Sequence, residues 1–256
     1  MKATLSIGIP AYLDHSGVQR ILETLEDRAD LEILISEDLP PGKDGLEDNL
    51  PNWANVRYTK NTPALGAVPN WNAVLQRATG EFIWVIHHDE APHFPSGLNA
   101  FLDRLKETKA DLMLSRLNKH TDNFLKRAVR HDTTRRVLLR FPQMILLQNY
   151  IGSPSNMIVR KSKIESFDEH LQWFVDMEWF YRQIKKAHVI DLSAFEITPF
   201  PHAQSIKNAL TGKIRRISLS EVKYISKKHD IALLFYWAWC IKINLREIYF
   251  RRRDRV

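Results

Sequence analysis

Residues 82–90 read Phe82-Ile83-Trp84-Val85-Ile86-His87-His88-Asp89-Glu90, and this stretch decides the fold. Five consecutive apolar residues describe a strand covered on both faces, the pattern of an interior strand in a parallel sheet. Four side chains able to carry charge or bind metal follow at its carboxyl end, where open α/β sheets bind ligands. Side chains two apart on an extended segment point the same way, so His87 and Asp89 are expected to grip one divalent ion. A polar strand end facing water is the plainer alternative for the same four residues.

Outward from this strand, strand and helix alternate. Leu5, Ile7 and Ile9 alternate with Ser6 and Gly8 in a strand closed by Pro10. Ser16, with Gln19 three residues on, is the expected cap of a helix whose stripe is Val18, Ile21, Leu22 and Leu25. Residues 31–35 form a second strand ending at Ser36-Glu37-Asp38, and residues 56–58 a short third. A helix over 67–78 carries Val68, Trp71, Val74 and Leu75 on one face; Ser96 is the expected cap of another, and residues 111–115 read as one more strand. This alternation predicts an α/β fold: a mostly parallel central sheet flanked by helices, with right-handed crossovers. Residues 116–150 then read as basic and irregular. Gly152-Ser153-Pro154-Ser155 is a turn into the strand Met157-Ile158-Val159, and Asp176 stands before a helix with Met177, Phe180, Tyr181 and Ile184 on one face.

Composition narrows the class. With 44% hydrophobic and 26% charged residues, the 256-residue chain reads as a soluble globular domain, alone or with a tail. A single cysteine, Cys240, excludes an internal disulfide framework and an all-cysteine zinc site. No secretory signal is expected at the amino terminus. The longest apolar run, Ile231–Ile241, has eleven residues, short of the roughly 20 a spanning helix needs. Charge is uneven: residues 201–256 hold 13 Lys/Arg against 4 Asp/Glu, and the preceding 200 hold 24 against 26. The chain is therefore divided into a domain at 1–205 and a basic, aromatic-rich helical extension at 206–256. Leu233 to Trp239, flanked by Lys227, Lys228, Lys242, Arg246 and Arg251–Arg253, suits a helix lying in a membrane interface over residues 230–256. A carboxyl-terminal helix packed on the body, with a solvated basic end, is the alternative.

Three strand ends carry polar groups toward one sheet edge: Pro10-Ala11-Tyr12, Glu37-Asp38 and His87 through Glu90. No G-x-G-x-x-G follows the first strand and no G-x-x-x-x-G-K-[ST] occurs. A diphosphate would then be held through a metal ion, with Asp89 its anchor. Nucleic-acid binding through the basic tail would leave these acidic strand ends unexplained, so no nucleic acid is expected.

At these residues the chain resembles the family 2 glycosyltransferases, which share the GT-A nucleotide-sugar fold. Ser6 to Tyr12 is similar to that family's opening strand, and Ile35-Ser36-Glu37-Asp38 to its second-strand acidic pair. Asn70-Trp71-Asn72 and Ala78 to Ile83 resemble its helix-to-strand passage. His87-His88-Asp89-Glu90 stands in the place of the metal-binding D-x-D, Gly152–Ser155 with Val159-Arg160 resembles the acceptor-side strand, and Phe174 to Trp179 with Arg182 resembles the segment bearing the catalytic base. The likeness covers residues 4–205.

The resemblance implies a metal-dependent, inverting hexosyltransferase using a nucleotide-sugar donor, foremost a UDP-sugar, and Mn²⁺ or Mg²⁺. Its acceptor would be a glycan or lipid-linked saccharide in surface polysaccharide synthesis, at the cytoplasmic, inner face of the cell membrane. Pro10, Ala11 and Tyr12 would line the nucleotide pocket, Asp38 would bind the base, and Asn70 and Asn72 would approach the donor. Asp89 would ligate the metal, with His202 near the diphosphate. His87 replaces the family's usual Asp, so metal binding and a ribose hydrogen bond both stay open for it. Asp176 would be the catalytic base, while Val175 replaces the usual neighbouring Glu. An inactive binding protein of this fold at the membrane surface is the competing reading. Structural alternatives stand beside these roles: Asp176 as a helix N-cap, Asp38 as the start of a turn, and Trp71, Trp173, Phe174 and Trp179 as core.

Overall fold

A computed structural model describes residues 2–116, 132–200, 213–231 and 233–253. Strands β1 (Leu5–Tyr12), β2 (Leu31–Asp38), β3 (Val56–Asn61) and β4 (Phe82–Val85) run parallel in the order β3-β2-β1-β4. Helices α1 (His15–Leu22), α2 (Ala67–Arg77) and α3 (Gly97–Glu107) cover the two faces. Phe82, Trp84 and Ile86 join one core with residues of α1 and α3, whereas Ile83 and Val85 join the other with residues of α2. Alternate side chains thus enter two separate cores, and for that reason the run contains no polar residue. At Gly8 an added Cβ would sit 2.8 Å from Val74, so only glycine lets α2 lie this close to β1.

The sheet is mostly but not wholly parallel, and the antiparallel pairings fall beyond β4. The strands β5 (Glu90–His93), β6 (Leu112–Arg116), β7 (Met157–Arg160) and β8 (Ile190–Pro199) extend the order as β4-β7-β6-β8-β5. β7 is antiparallel to both β4 and β6, and β5 is antiparallel to β8. Among the described residues four strand pairings are parallel and three antiparallel. Burial pattern carries no direction, so the reversed β7 reads in sequence like its parallel neighbours. β5 contains Pro92, which its place at the sheet edge tolerates.

Capping also differs in detail. Asp14, not Ser16, caps α1: its Oδ1 accepts from the Gly17 N–H at 2.9 Å and from the Ser16 hydroxyl at 2.8 Å. Ser96 precedes α3 without a side-chain capping bond. Part of the stretch expected to be irregular is helical, as α4 (Asp132–Leu139) and α5 (Met144–Leu147).

The carboxyl-terminal helices share the body's core. α6 (Val175–Lys186), α7 (Ile214–Lys228) and α8 (Leu233–Arg253) bring Trp179, Val222, Ile225, Trp239 and Cys240 into the cluster that holds Val85 and Leu112. α8 packs through Tyr236, Trp239, Cys240 and Ile243. Its opposite side leaves Leu233, Trp237, Ile241 and Leu245 exposed, each by at least 56%. Their four-residue spacing makes one continuous apolar stripe. Among the described residues no helix is long and apolar enough to cross a membrane.

Candidate active site

Strand order reverses at β1: β2 lies on one side and β4 on the other. A crevice outside the carboxyl ends of such strands is where open α/β sheets bind ligands. A cavity of about 700 Å³ opens there, large enough for a sugar nucleotide. Pro10, Ala11 and Tyr12 line it from β1, Asp38 from β2, and Asn70 and Trp71 from α2. His87, His88 and Asp89 enter from the end of β4, and residues 172–177 form the facing wall. Asp89 and Asp176, distant in sequence, therefore open on one cavity.

The segment after β4 is a turn, which corrects the expected extended geometry. The Glu90 N–H donates to the His87 carbonyl at 2.9 Å, with His88 and Asp89 at the turn's centre. His87 and Asp89 reach the cavity through this turn rather than through strand alternation. The turn is anchored on both sides: His88 Nδ1 lies 3.2 Å from the Pro10 carbonyl, and the His87 N–H donates to Ser155 Oγ at 3.0 Å. The His87 ring packs on Trp71 with centroids 4.7 Å apart. Among the described residues its buried Nε2 has no hydrogen-bond partner. Burial holds the imidazole pKa below its ordinary value against the opposing pull of Asp89, so the ring is neutral.

Asp38 is engaged in holding the turn that leads into α2. Its carboxylate accepts from the Gly66 N–H at 2.7 Å, the Leu65 N–H at 3.1 Å and Asn61 Nδ2 at 2.7 Å. It still lines the cavity, so the turn and pocket readings meet in one side chain. Gly66, at φ 90°, supplies the left-handed step this turn requires. The Asn70 side chain donates to the Ser36 carbonyl at 3.0 Å and faces the cavity. Asn72 does not: its amide bonds Phe167 N and O, at 2.7 and 3.0 Å, and Glu169 at 2.7 Å. The expectation that Asn72 approaches a donor is therefore corrected; two residues, about 200° of helical rotation, separate Asn70, which faces the cavity, from Asn72, which pins the 167–169 segment. Glu37 likewise serves the fold, bonded to Tyr58 OH at 2.6 Å and to the Leu46 N–H at 2.9 Å.

Asp176 lies inside the first turn of α6, whose N-cap position is Phe174. The capping explanation for this carboxylate is thus removed. Among the described residues its carboxylate has no hydrogen-bond or ion-pair partner. Burial, with the Glu90 carboxylate adding to it, pushes the Asp176 pKa up to about 7. Glu90 is itself raised by burial and accepts a hydrogen bond from Ser153 Oγ at 2.7 Å. A carboxyl group with no internal partner, facing a cavity and titrating near neutrality, is suited to take a proton from a bound molecule.

Two residues further along the helix is about 200° of rotation, and Glu178 accordingly faces the body. It is fully buried and meets two cations, Arg182 Nε at 2.9 Å and Lys228 Nζ at 2.8 Å, together with His229 Nε2 at 2.7 Å. Burial pushes its pKa up, but these partners outweigh it and hold the group at about 2. Replacing Glu178 with Ala removes the buried centre of this network, although Arg182 keeps Glu165 at 2.5 Å and Lys228 keeps Asp168 at 2.6 Å, and is expected to cost about 3 kcal/mol, measured by denaturant unfolding. Its folded pKa lies below the ordinary value of 4.5, so its stabilisation is complete above about that pH and fades as pH falls toward 2.

Trp173 and Phe174 line the cavity wall, whereas Trp179 is core and stacks on Phe167 at 4.5 Å. His88, Asn149, Gln172 and Met177 also line it and have no binding role assigned from sequence; His88 and Met177 lie in stretches the sequence marks out, whereas Asn149 and Gln172 do not. His202 lies outside the described residues.

Comparison with known proteins agrees with this geometry. Abequosyltransferase RfbV of Salmonella typhimurium is 23% identical over 262 residues, covering 88% of this chain and 74% of that protein. The structure of S. aureus TarS 1–349 in complex with UDP-GlcNAc matches with a TM-score of 0.64 at 15% identity, over 89% of this chain and 66% of that one. Mannosyltransferase PcManGT from Pyrobaculum calidifontis, in complex with GDP-Man and Mn²⁺, matches with a TM-score of 0.58 at 11% identity, over 94% and 70%. These structural likenesses establish the GT-A fold. The sequence pattern of glycosyl transferase family 2 matches residues 6–167, more than half of the chain. Fold, cavity and sequence pattern agree, and the chain belongs to glycosyl transferase family 2.

Proposed function

We propose that this glycosyltransferase is metal-dependent and inverting, with Asp176 as its base. The observation that carries the reading is that Asp89 and Asp176 open on one cavity at the switch point of the sheet. A nucleoside bound over Pro10, Ala11 and Tyr12 would direct its diphosphate toward His87 and Asp89 and its sugar toward Asp176. The acceptor hydroxyl gives its proton to the Asp176 carboxylate, and its oxygen attacks the anomeric carbon. The bond to the diphosphate breaks as the new one forms, and the electron pair leaves with the nucleoside diphosphate. A single in-line step inverts the anomeric centre.

Among the described residues no group of three His, Cys, Asp or Glu side chains is arranged to hold a metal. Two donors suffice where diphosphate oxygens complete the coordination, as they commonly do for Mg²⁺. The orphaned His87 Nε2 beside Asp89 fits such a site, and an imidazole donor favours Mn²⁺ over Mg²⁺. A cation held there would neutralise charge on the departing diphosphate. A thermal-shift panel of UDP-, GDP-, dTDP-, CDP- and CMP-sugars, with and without Mn²⁺, tests donor binding. Saturation at a hundred times Kd corresponds to about 2.7 kcal/mol, a rise of roughly 5–10 °C. UDP-sugars are expected to respond; a flat panel would remove the assignment.

The catalytic domain spans residues 1–205, and 206–256 is an extension that docks on it. We assign the extension to the inner face of the cell membrane, where the acceptor is a glycan or lipid-linked saccharide of surface polysaccharide synthesis. The apolar stripe Leu233-Trp237-Ile241-Leu245 supports this, in a segment carrying 13 Lys/Arg against 4 Asp/Glu. Trp237→Ser with Ile241→Ser is expected to weaken sedimentation with vesicles of anionic phospholipid by about tenfold. Unchanged sedimentation would exclude the stripe as the contact.

A further inference from the structure

We propose that Glu221, on α7 and outside the segment matched by the family pattern, is a positioning residue for the wall that carries Asp176. The inference rests on the base assignment above. Glu221 is buried, and its carboxylate meets three successive backbone amides at the entrance to α6. Oε1 accepts from the N–H groups of Gln172 at 2.6 Å and Trp173 at 3.2 Å; Oε2 accepts from Trp173 at 3.1 Å and Phe174 at 2.8 Å. Phe174 occupies the N-cap position and has no side-chain oxygen to satisfy a neighbouring amide. Met177, at the third helical position, has no oxygen to reach back to the Phe174 N–H, and the carboxylate that does so comes from another helix, 47 residues along the chain.

The place of these amides gives the contact its meaning. Gln172, Trp173 and Phe174 line the cavity, and Asp176 lies two residues beyond. One carboxylate enclosed by successive N–H groups specifies a single backbone path, as an anion in a nest does. An apolar side chain would fill the volume without specifying that path, and burying a carboxylate carries a desolvation cost. The donor floor, by contrast, is built on β1 and β2 and owes nothing to Glu221. Loss of the contact should disturb the approach of Asp176 to the reacting atoms and leave nucleotide binding alone.

Glu221→Gln tests this in the full chain, with Glu221→Asp as a second variant should the first fold poorly. UDP-GlcNAc, or the tightest binder in the panel, serves as probe, and nucleoside diphosphate release gives kcat and KM. Amide hydrogen exchange is followed over residues 171–176 and over β1 and β4. The expected result is exchange at 171–176 faster by about tenfold, with β1 and β4 unchanged. Alongside it, kcat should fall roughly ten- to a hundredfold while donor KM stays within about twofold. Wild-type kcat in a folded variant would overturn the proposal, as would a loss of protection shared by the whole sheet. Asp176→Asn, assayed in parallel, separates the failures. Full turnover there ends the base assignment, whereas an inactive Asp176→Asn beside a fully active Glu221→Gln ends the positioning role alone.

Discussion

Asp176→Asn is expected to abolish transfer and stabilise the protein in the same experiment. The amide keeps the side chain's shape but cannot take the acceptor's proton, so kcat should fall by about 10²–10⁴. Donor binding should persist, because the donor floor lies on β1 and β2. The stability gain follows from the raised pKa. The folded group titrates at about 7 against an ordinary value of 3.8, so below about pH 4 the buried carboxyl is neutral and carries no penalty. As pH rises through 7 the native state holds a buried charge that the unfolded chain carries freely in water. Stability is lost between about pH 4 and 7, by at most about 4–5 kcal/mol at about 1.4 kcal/mol per pH unit. Asparagine has no charge to bury, so its advantage should appear at pH 8 and vanish near pH 4. Thermal unfolding at the two pH values measures it. The wild-type rate should rise with pH and level off above about 7, the limb belonging to a base that must first lose its proton. A capping role would give the opposite pattern, destabilisation with activity kept.

Asp89→Ala is expected to have the second-largest effect. Its backbone carbonyl accepts from the Phe200 N–H at 2.7 Å, a bond that the substitution leaves in place. The turn should survive, and the loss should fall on the cation. In the wild type, stabilisation by UDP-sugar should depend on Mn²⁺; in Asp89→Ala that dependence should disappear. Removal of a metal contact to the leaving diphosphate corresponds to several kcal/mol of the barrier, or on the order of a hundredfold or more in kcat/KM. Mn²⁺ titrations of kcat/KM in both proteins check this. Equal metal dependence in the two would move the cation away from Asp89.

Much of this was legible in the sequence, for identifiable reasons. The Phe82–Ile86 run revealed an interior strand because burial on two faces leaves no room for a polar residue. Order along the chain placed Pro10–Tyr12, Asp38 and Asp89 on one edge because parallel strands align their carboxyl ends. Direction was not legible: β7 runs against β4 and β6, yet its apolar run reads the same either way. Local turns were equally hidden. His87 and Asp89 reach the cavity through the turn centred on His88 and Asp89, and Asn72 turns away because one helix step decides its face. Asp176 was ambiguous between cap and base until the start of α6 fell one residue before it. Glu221 left no local trace, since its meaning lies in amides contributed by a distant segment.

The position of a bound donor decides the mechanism, and a crystal structure of the chain with UDP-GlcNAc and Mn²⁺ tests it directly. The predicted result is the nucleoside over Pro10–Tyr12, the cation at Asp89 and the anomeric carbon turned toward Asp176. A donor whose sugar points away from Asp176, or whose diphosphate lies outside the His87–Asp89 turn, would contradict it.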